Sequence, residues 1–135
     1  MLTDTGPLVA LLDADDSYHA ACVAALGRLP SEPLETTWPC FTEAMYLLGE
    51  VGGYRYQEAL WNLRSTGRLQ LYDPTPAETD RMAVLMLQYQ DTPMDLADAS
   101  LVAIAEGHNL RRVFTVDSHF YIYRLADSSV LEVVR

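Results

Sequence analysis

The sequence predicts an α/β protein, a three-layer α/β/α sandwich around a central parallel sheet of four to five strands. Apolar and β-branched runs of four or five residues alternate with segments of helical periodicity along the whole chain. This alternation is typical of a parallel sheet that helices cover on both faces. A chain of 135 residues, half of them hydrophobic, can bury roughly two-thirds of its unfolded surface, which predicts one domain over residues 1–135.

The first third of the chain predicts two strands separated by helices. Met1–Asp4 forms a short strand, and Leu8–Leu12 forms a short helix. From Ser17 the apolar residues follow the spacing i, i+3, i+4, i+7 of an amphipathic helix. They are Tyr18, Ala21, Cys22, Ala25, Leu26 and Leu29. Leu34–Trp38 has the composition of a strand and is closed by Pro39.

The middle of the chain is mainly helical. Phe41–Val51 is predicted as a helix with Glu43 in its first turn. Gly52-Gly53 interrupts it, and Tyr54–Arg64 resumes the helical pattern until Gly67, a glycine placed to terminate a helix.

A short strand and a helix follow. Leu69–Tyr72 is predicted as the strand. Thr75-Pro76-Ala77-Glu78 has the pattern of a capping box with proline at the first helical position. The box indicates that the apolar run Met82–Leu87 belongs to a buried helix and not to a strand.

Two carboxylates lie at the start of the next predicted helix. Pro93 marks its beginning, and Asp95 and Asp98 are three residues apart, so both project from one face of the first turn. Leu101–Ala105 contains no polar side chain, and the helix ends near Gly107. Taken alone, the two acids are explained by favourable interaction with the positive helix end.

The last part of the chain predicts two strands. Val113–Asp117 is β-branched and ends in an acid. Ser118 is placed to cap a short helix that runs to Leu125, and Val130–Val134 gives the final strand.

Five acids are expected to converge at one edge of this sheet. Asp4 and Asp117 close strands, whereas Glu43, Asp95 and Asp98 lie in first helical turns on the same side. Ligands of open α/β sheets bind beyond the carboxyl ends of the strands. Two carboxylates ~5 Å apart repel by roughly 3 kcal/mol at an effective dielectric constant of ~20. Such a cluster therefore needs metal ions or shared protons, and oxygen ligands suit hard divalent cations.

The composition excludes several functions. The net charge is −10 and the chain has no lysine, which argues against binding nucleic acid by charge alone. A phosphoacceptor receiver domain requires a lysine, an Asp-x-Asp phosphatase requires a second acid where Gly6 stands, and no Gly-x-x-x-x-Gly-Lys loop is present. The longest apolar run is too short to span a membrane, and the N-terminus lacks a signal-peptide pattern, so a cytoplasmic protein is expected. Cys22 and Cys40 are expected to be reduced core residues.

Several short motifs resemble the PIN-domain family, especially the small VapC-like toxin ribonucleases of toxin–antitoxin pairs. The motifs are Leu2-Thr3-Asp4-Thr5, Leu96-Ala97-Asp98-Ala99 and Phe114-Thr115-Val116-Asp117-Ser118-His119-Phe120, together with the single acid Glu43. The resemblance implies four catalytic, metal-binding acids: Asp4, Glu43, Asp98 and Asp117. Asp95 is a nearby fifth acid and a further candidate ligand, and Thr115 matches a hydroxyl position that supports the metal site.

The implied function is hydrolysis of RNA phosphodiester bonds by an endoribonuclease that depends on Mg²⁺, with Mn²⁺ as a possible substitute. An antitoxin protein is the implied partner. The alternative is a PIN-like metal-binding module that serves mainly to bind a protein partner and has no significant nuclease activity.

Other residues carry weaker expectations. His19, His108 and His119 are interpreted as surface or structural residues and not as metal ligands, and Asp73 as part of a turn. A surplus of apolar and aromatic residues around Gly52-Gly53 predicts a homodimer. These residues are Phe41, Met45, Tyr46, Tyr56, Leu60 and Trp61.

Overall fold

The computed structural model describes all of residues 1–135 and contains one sheet of five parallel strands. The strands are β1 (Leu2–Thr3), β2 (Leu34–Thr37), β3 (Leu69–Tyr72), β4 (Arg112–Phe114) and β5 (Glu132–Val134). Their order across the sheet is β3-β2-β1-β4-β5, and all neighbours are parallel. The predicted parallel α/β fold is confirmed.

Six helices cover this sheet. They are α1 (Thr5–Leu12), α2 (His19–Arg28), α3 (Trp38–Gly52), α4 (Tyr54–Ser65), α5 (Pro76–Gln88) and α6 (Leu96–Gly107). The capping box at the start of α5 is formed as predicted, with Thr75 and Glu78 exchanging hydrogen bonds. Gly67 has a positive φ of 77°, as expected for a glycine after a helix end. None of the helices combines the length and the apolar character that crossing a membrane requires.

Two hydrophobic clusters pack on the sheet. One joins α5 and α6 to the C-terminal segment, and its members include Leu101, Ile104 and Val113. The other contains residues of the four helices α1, α2, α3 and α4 and includes Leu48 and Phe114. Because Val113 and Phe114 are consecutive in β4, they point to opposite faces of the sheet and belong to different clusters. This division gives the three layers of the predicted sandwich.

Helix α3 begins at Trp38, three residues before the predicted start. The Thr37 side chain accepts a hydrogen bond from the Cys40 backbone N–H and caps the helix, and Pro39 fits the first turn, where its missing N–H costs nothing. Trp38 therefore belongs to the helix and not to β2. As a consequence Glu43 lies in the second turn of α3, so its predicted place in the first turn is wrong.

The segments around two other acids also differ from the prediction. Helix α6 begins at Leu96 instead of Pro93, with Asp95 as its cap. Strand β4 ends at Phe114, so Asp117 lies three residues beyond the strand. Asp117, and not Ser118, caps a short 3₁₀ helix, which stops at Tyr121. The physical reason is that an Asp side chain next to free backbone N–H groups is at least as good a cap as Ser.

The burial of α5 also differs from the prediction. In Met82–Leu87 only Met82 and Leu85 are buried, whereas Leu87 is 67% exposed, because α5 lies on the surface and packs through one face. The prediction of a helix for Met82–Leu87 is confirmed, whereas only one face of that helix is buried.

Around Gly52-Gly53 the core takes in Phe41 and Leu60, and Met45 and Tyr56 pack partly against it. Tyr46 and Trp61 remain exposed.

Candidate metal centre

Asp4 lies immediately after β1, where the chain turns into α1. It caps that helix, and its Oδ1 accepts a hydrogen bond of 2.7 Å from the Thr5 backbone N–H. Its Oδ2 accepts a hydrogen bond of 2.7 Å from the Thr115 hydroxyl. The helix therefore starts three residues before the predicted Leu8, because the acid itself supplies the cap. Asp4 is buried, and its carboxylate is held on both oxygens.

Asp95 and Asp98 form a capping box at the start of α6. The Asp98 backbone N–H donates to Asp95 Oδ1 over 2.8 Å, and the Asp95 backbone N–H donates to Asp98 Oδ2 over 3.4 Å. The Tyr123 hydroxyl also donates to Asp98 Oδ2, over 3.1 Å. Asp98 is only 6% exposed, whereas Asp95 is exposed. The two acids thus share a capping role but differ in burial.

Asp117 is held by the turn that it caps. Its Oδ1 accepts hydrogen bonds from the His119 backbone N–H over 2.9 Å and from the His119 Nδ1 over 2.7 Å. Its own backbone N–H donates to the Thr115 hydroxyl over 2.9 Å. Thr115 is fully buried and connects Asp117 to Asp4, because its hydroxyl donates to one and accepts from the other.

Three acids meet in one cluster. Asp4, Asp98 and Asp117 each contribute a carboxylate oxygen, and these oxygens all lie within 4.8 Å of one another. No arginine or histidine forms an ion pair with Asp4 or Asp98, and His119 is the only basic side chain within ion-pair distance of Asp117. The site is therefore a concentration of negative charge with little compensation from the protein.

Burial and mutual repulsion make two of these acids resist ionisation. Burial is the largest cause that raises the pKa of Asp4, opposed by its bonds to Thr115 and Thr5, and the charge of Asp117 raises it further. Burial, followed by the charges of Asp95 and Asp4, raises the pKa of Asp98 to about 7. A bound cation would reverse these costs, since an opposite charge nearby favours the ionised form.

The other two predicted acids lie outside the group of three. Asp95 Oδ1 is already engaged by the Asp98 backbone N–H. Glu43 is close enough for the charges of Asp95 and Asp4 to raise its pKa, after the larger effect of burial. Glu43 is not among the three acids whose oxygens lie within 4.8 Å of one another. The structure thus brings together three of the five candidate residues and places two beside them.

Sequence reasoning missed three residues next to the cluster. His119 was interpreted as a structural residue without a site role, but it contacts Asp117 directly. Tyr123 had no distinguishing signal, because only the fold brings it to Asp98. The Cys40 thiol is buried, as predicted, 3.9 Å from Asp4 Oδ1, and burial followed by the charge of Asp4 raises its pKa to about 12. The thiol therefore stays protonated beside the acid.

Two further charged residues lie away from the cluster. Arg112 begins β4 and Asp117 follows the end of that strand, so the arginine lies at the opposite end of β4 from Asp117. Asp73 is exposed after β3, two strands away from β1.

Comparison with known protein families agrees with this geometry. The family described as "PIN domain" matches residues 1–126. The chain belongs to the PIN domain family. Since this match covers most of the chain, the resemblance inferred from the short motifs is confirmed.

Two solved structures and one curated relative are similar to this PIN domain. Ribonuclease VapC26 of Mycobacterium tuberculosis is 28% identical over 125 residues, which cover 92% of each chain. The crystal structure of Mycobacterium tuberculosis VapC20, a sarcin-ricin loop cleaving toxin, has a TM-score of 0.84 at 18% identity and covers 99% of this chain and 98% of that one. A toxin–antitoxin complex from Klebsiella pneumoniae has a TM-score of 0.64 at 19% identity, with 87% and 86% covered. These structures share the fold of this PIN domain.

The donor set of the cluster fits a hard divalent cation. All three side chains offer carboxylate oxygens, which are the ligands that Mg²⁺ and Mn²⁺ prefer. Oδ1 of Asp98 and Oδ2 of Asp117 accept no hydrogen bond from the protein and remain available. The residues present therefore match the divalent metal on which PIN nucleases rely.

Proposed function

We propose that this PIN domain is an endoribonuclease that depends on Mg²⁺ or Mn²⁺ and acts as the toxin of a toxin–antitoxin pair. The observation that carries the proposal is the cluster of three carboxylates within 4.8 Å without a compensating cation. Membership of the PIN family and the similarity to a protein named Ribonuclease VapC26 support it. We also propose that residues 1–135 act as one domain, since all five strands belong to one sheet.

Asp4, Asp98 and Asp117 would hold the metal in this proposal. A divalent cation bound there supplies an activated water and stabilises charge on the leaving oxygen of a phosphodiester. Asp4 has least freedom, because both of its oxygens accept hydrogen bonds. Asp98 and Asp117 present one free oxygen each. These free oxygens are the ones that would bind the cation.

Glu43 and Asp95 have roles at the edge of the site. We assign Glu43 as the fourth catalytic acid, because the charges of Asp95 and Asp4 act on its pKa and the residue is exposed to solvent beside the cluster. Asp95 acts mainly by holding the Asp98 backbone through the capping box. Direct metal binding through its second oxygen is compatible with this role.

RNA cleavage by the purified protein tests this function. We expect cleavage in Mg²⁺ or Mn²⁺, complete loss in excess EDTA and recovery when metal is restored, because the bound cation would supply the activated water and stabilise the charge on the leaving oxygen. Cleavage that persists in EDTA would contradict the metal site. A protein that binds metal without cleaving any RNA would support the alternative, a PIN-like module for protein interaction.

The negative charge of the site suggests how an antitoxin partner would inhibit the protein. We propose that it inhibits by placing an Arg or Lys side chain among the acids, as a substitute for the cation, because the chain carries a net charge of −10. The isolated complex should then bind Mn²⁺ more weakly than the free protein, as calorimetric titration can measure. Equal affinity of complex and free protein would contradict this mode of inhibition.

We further propose a homodimer in the cytoplasm. Two of the six residues that suggested a dimer, Tyr46 and Trp61, are exposed, and Val51 and Tyr54 beside them are exposed as well. Both cysteines are free, as a reducing compartment requires. Sedimentation at micromolar concentration should give a mass of twice 15.1 kDa, and a monomer would rule the dimer out.

A further inference from the structure

One segment of the chain, residues 115–123, supplies a side-chain hydrogen-bond donor to each of the three clustered acids. The pairs are Thr115 with Asp4 at 2.7 Å, His119 with Asp117 at 2.7 Å and Tyr123 with Asp98 at 3.1 Å. The acids come from three separate parts of the chain, whereas the donors come from nine consecutive residues. A single short segment therefore orients the whole cluster.

We propose that His119 and Tyr123 are positioning residues that orient Asp117 and Asp98 for metal binding. The proposal rests on the metal-dependent function proposed above. Neither residue needs to touch the metal or the RNA, because each acts through the carboxylate that it contacts.

The His119 contact fixes one oxygen of Asp117. Oδ1 accepts from both the backbone N–H and the Nδ1 of the same residue, over 2.9 and 2.7 Å. An ionised carboxylate can only accept hydrogen bonds, so Nδ1 must carry the proton. Two donors on one oxygen prevent the carboxylate from rotating. Oδ2, which has no donor in the protein, is therefore kept available to the cluster.

The Tyr123 contact does the same for Asp98. Tyr123 is 2% exposed, and its ring packs edge-on against Tyr89 and Phe120 at centroid distances of 5.2 and 5.3 Å. A ring held on two sides gives its hydroxyl a defined position, and that hydroxyl donates to Asp98 Oδ2. Oδ1 is the oxygen that remains free to bind a cation.

Orientation matters most before the metal arrives. Three carboxylates this close repel one another and would turn apart in the absence of a cation. Hydrogen-bond donors that hold the carboxylates in place reduce the movement of these side chains that cation binding requires. Partners of metal ligands typically change metal affinity or activity by about 10- to 100-fold when they are removed.

Calorimetric titration of the metal-free full-length protein with Mn²⁺ tests the proposal. Tyr123→Phe removes only a hydroxyl, and His119→Ala removes the side-chain donor. Both should weaken Mn²⁺ binding by about 10-fold or more. His119→Asn keeps an N–H close to the position of Nδ1 and should stay within about 3-fold of the wild type, since little else changes.

Two matched controls separate positioning from general damage. Tyr72→Phe removes a hydroxyl that donates to Glu35, an acid outside the cluster. His108→Asn replaces a histidine at the far end of α6, where it pairs with Glu78. Both variants should bind Mn²⁺ like the wild type. Controls that weaken binding as much as Tyr123→Phe and His119→Ala would overturn the proposal.

A second measurement distinguishes positioning from catalysis. At saturating Mn²⁺ the kcat for RNA cleavage by Tyr123→Phe and His119→Ala should return to within about 3-fold of the wild type, because only metal binding is impaired. A kcat that stays low, or Mn²⁺ binding equal to the wild type, would overturn the positioning role alone. A wild-type protein that binds no Mn²⁺ would overturn the proposed function, and this inference with it.

Discussion

Asp98→Asn should abolish metal-dependent RNA cleavage, lowering the rate by at least about 100-fold. The substitution keeps the shape of the side chain and its acceptor oxygen for the Tyr123 hydroxyl and the Asp95 backbone N–H. It removes one of the three negative charges that would bind the cation. A loss of several kcal/mol of charge stabilisation at the leaving oxygen is enough for an effect of this size. Initial rates on a labelled RNA in Mn²⁺ would measure it.

Asp80→Asn is the matched control for this experiment. Asp80 is an exposed acid on α5. The next residue, Arg81, pairs with Glu106 near the C-terminal end of α6, whereas Asp98 lies in the first turn of that helix. Asp80 is therefore remote from the cluster. The control removes the same charge from the whole protein but none from the cluster, so its cleavage rate should match the wild type. If Asp98→Asn cleaves RNA as fast as Asp80→Asn, Asp98 serves only to cap the helix.

The metal-free protein should lose stability as the pH rises from about 4 to about 7. The pKa of Asp98 is raised from its ordinary value of 3.8 to about 7 in the folded state. Between these values the unfolded chain has released this proton and the folded protein retains it, so raising the pH favours unfolding. Asp4 and Glu43, whose pKa values are also raised, act in the same direction.

Asp98→Asn should remove this contribution and raise the melting temperature in EDTA. Repulsion from neighbouring acids and burial of the charge both destabilise the folded state. Removing even ~1 kcal/mol of this destabilisation would raise the midpoint of thermal unfolding by about 2–6 °C for a domain of this size. The gain should be larger at pH 8 than at pH 5, because the wild-type carboxyl is largely protonated at the lower pH. Thermal scans of both proteins in EDTA at the two pH values would measure it.

Added metal should reverse the order of the two melting temperatures, so that the wild type melts higher than Asp98→Asn. A cation that binds the folded state stabilises it by RT ln(1 + [L]/Kd), which is about 2.7 kcal/mol at a concentration of 100 Kd. Mg²⁺ or Mn²⁺ should therefore raise the melting temperature of the wild type clearly more than that of Asp98→Asn. If Asp98 only caps α6, the variant should instead melt slightly lower in EDTA and respond to metal as the wild type does.

Local sequence signals predicted most elements because they depend on near neighbours. The capping box at Thr75 and the glycine at Gly67 were located correctly, since each motif satisfies backbone groups within a few residues. The error at Ser118 arose where two consecutive residues could cap the same turn, and the preceding Asp117 formed the cap. The error at Trp38 arose because Thr37 caps α3, which therefore begins three residues before the predicted Phe41.

The sequence by itself determined which acids lie at the carboxyl edge of the sheet. Alternating strands and helices force a parallel sheet, and in a parallel sheet every segment after a strand begins at the same edge. Asp4 and Asp117 follow from that connectivity because each comes after a strand, and Asp98 follows because α6 leads back to the start of the parallel strand β4.

Only the tertiary structure decided which of those acids meet and what holds them. Glu43 falls outside the group of three, although the charges of Asp95 and Asp4 still raise its pKa after the larger effect of burial. The contacts of His119 and Tyr123 with the acids depend on how residues 115–123 fold back over the cluster. No periodicity or local motif encodes such contacts, because they join residues whose positions are set by the packing of the whole domain.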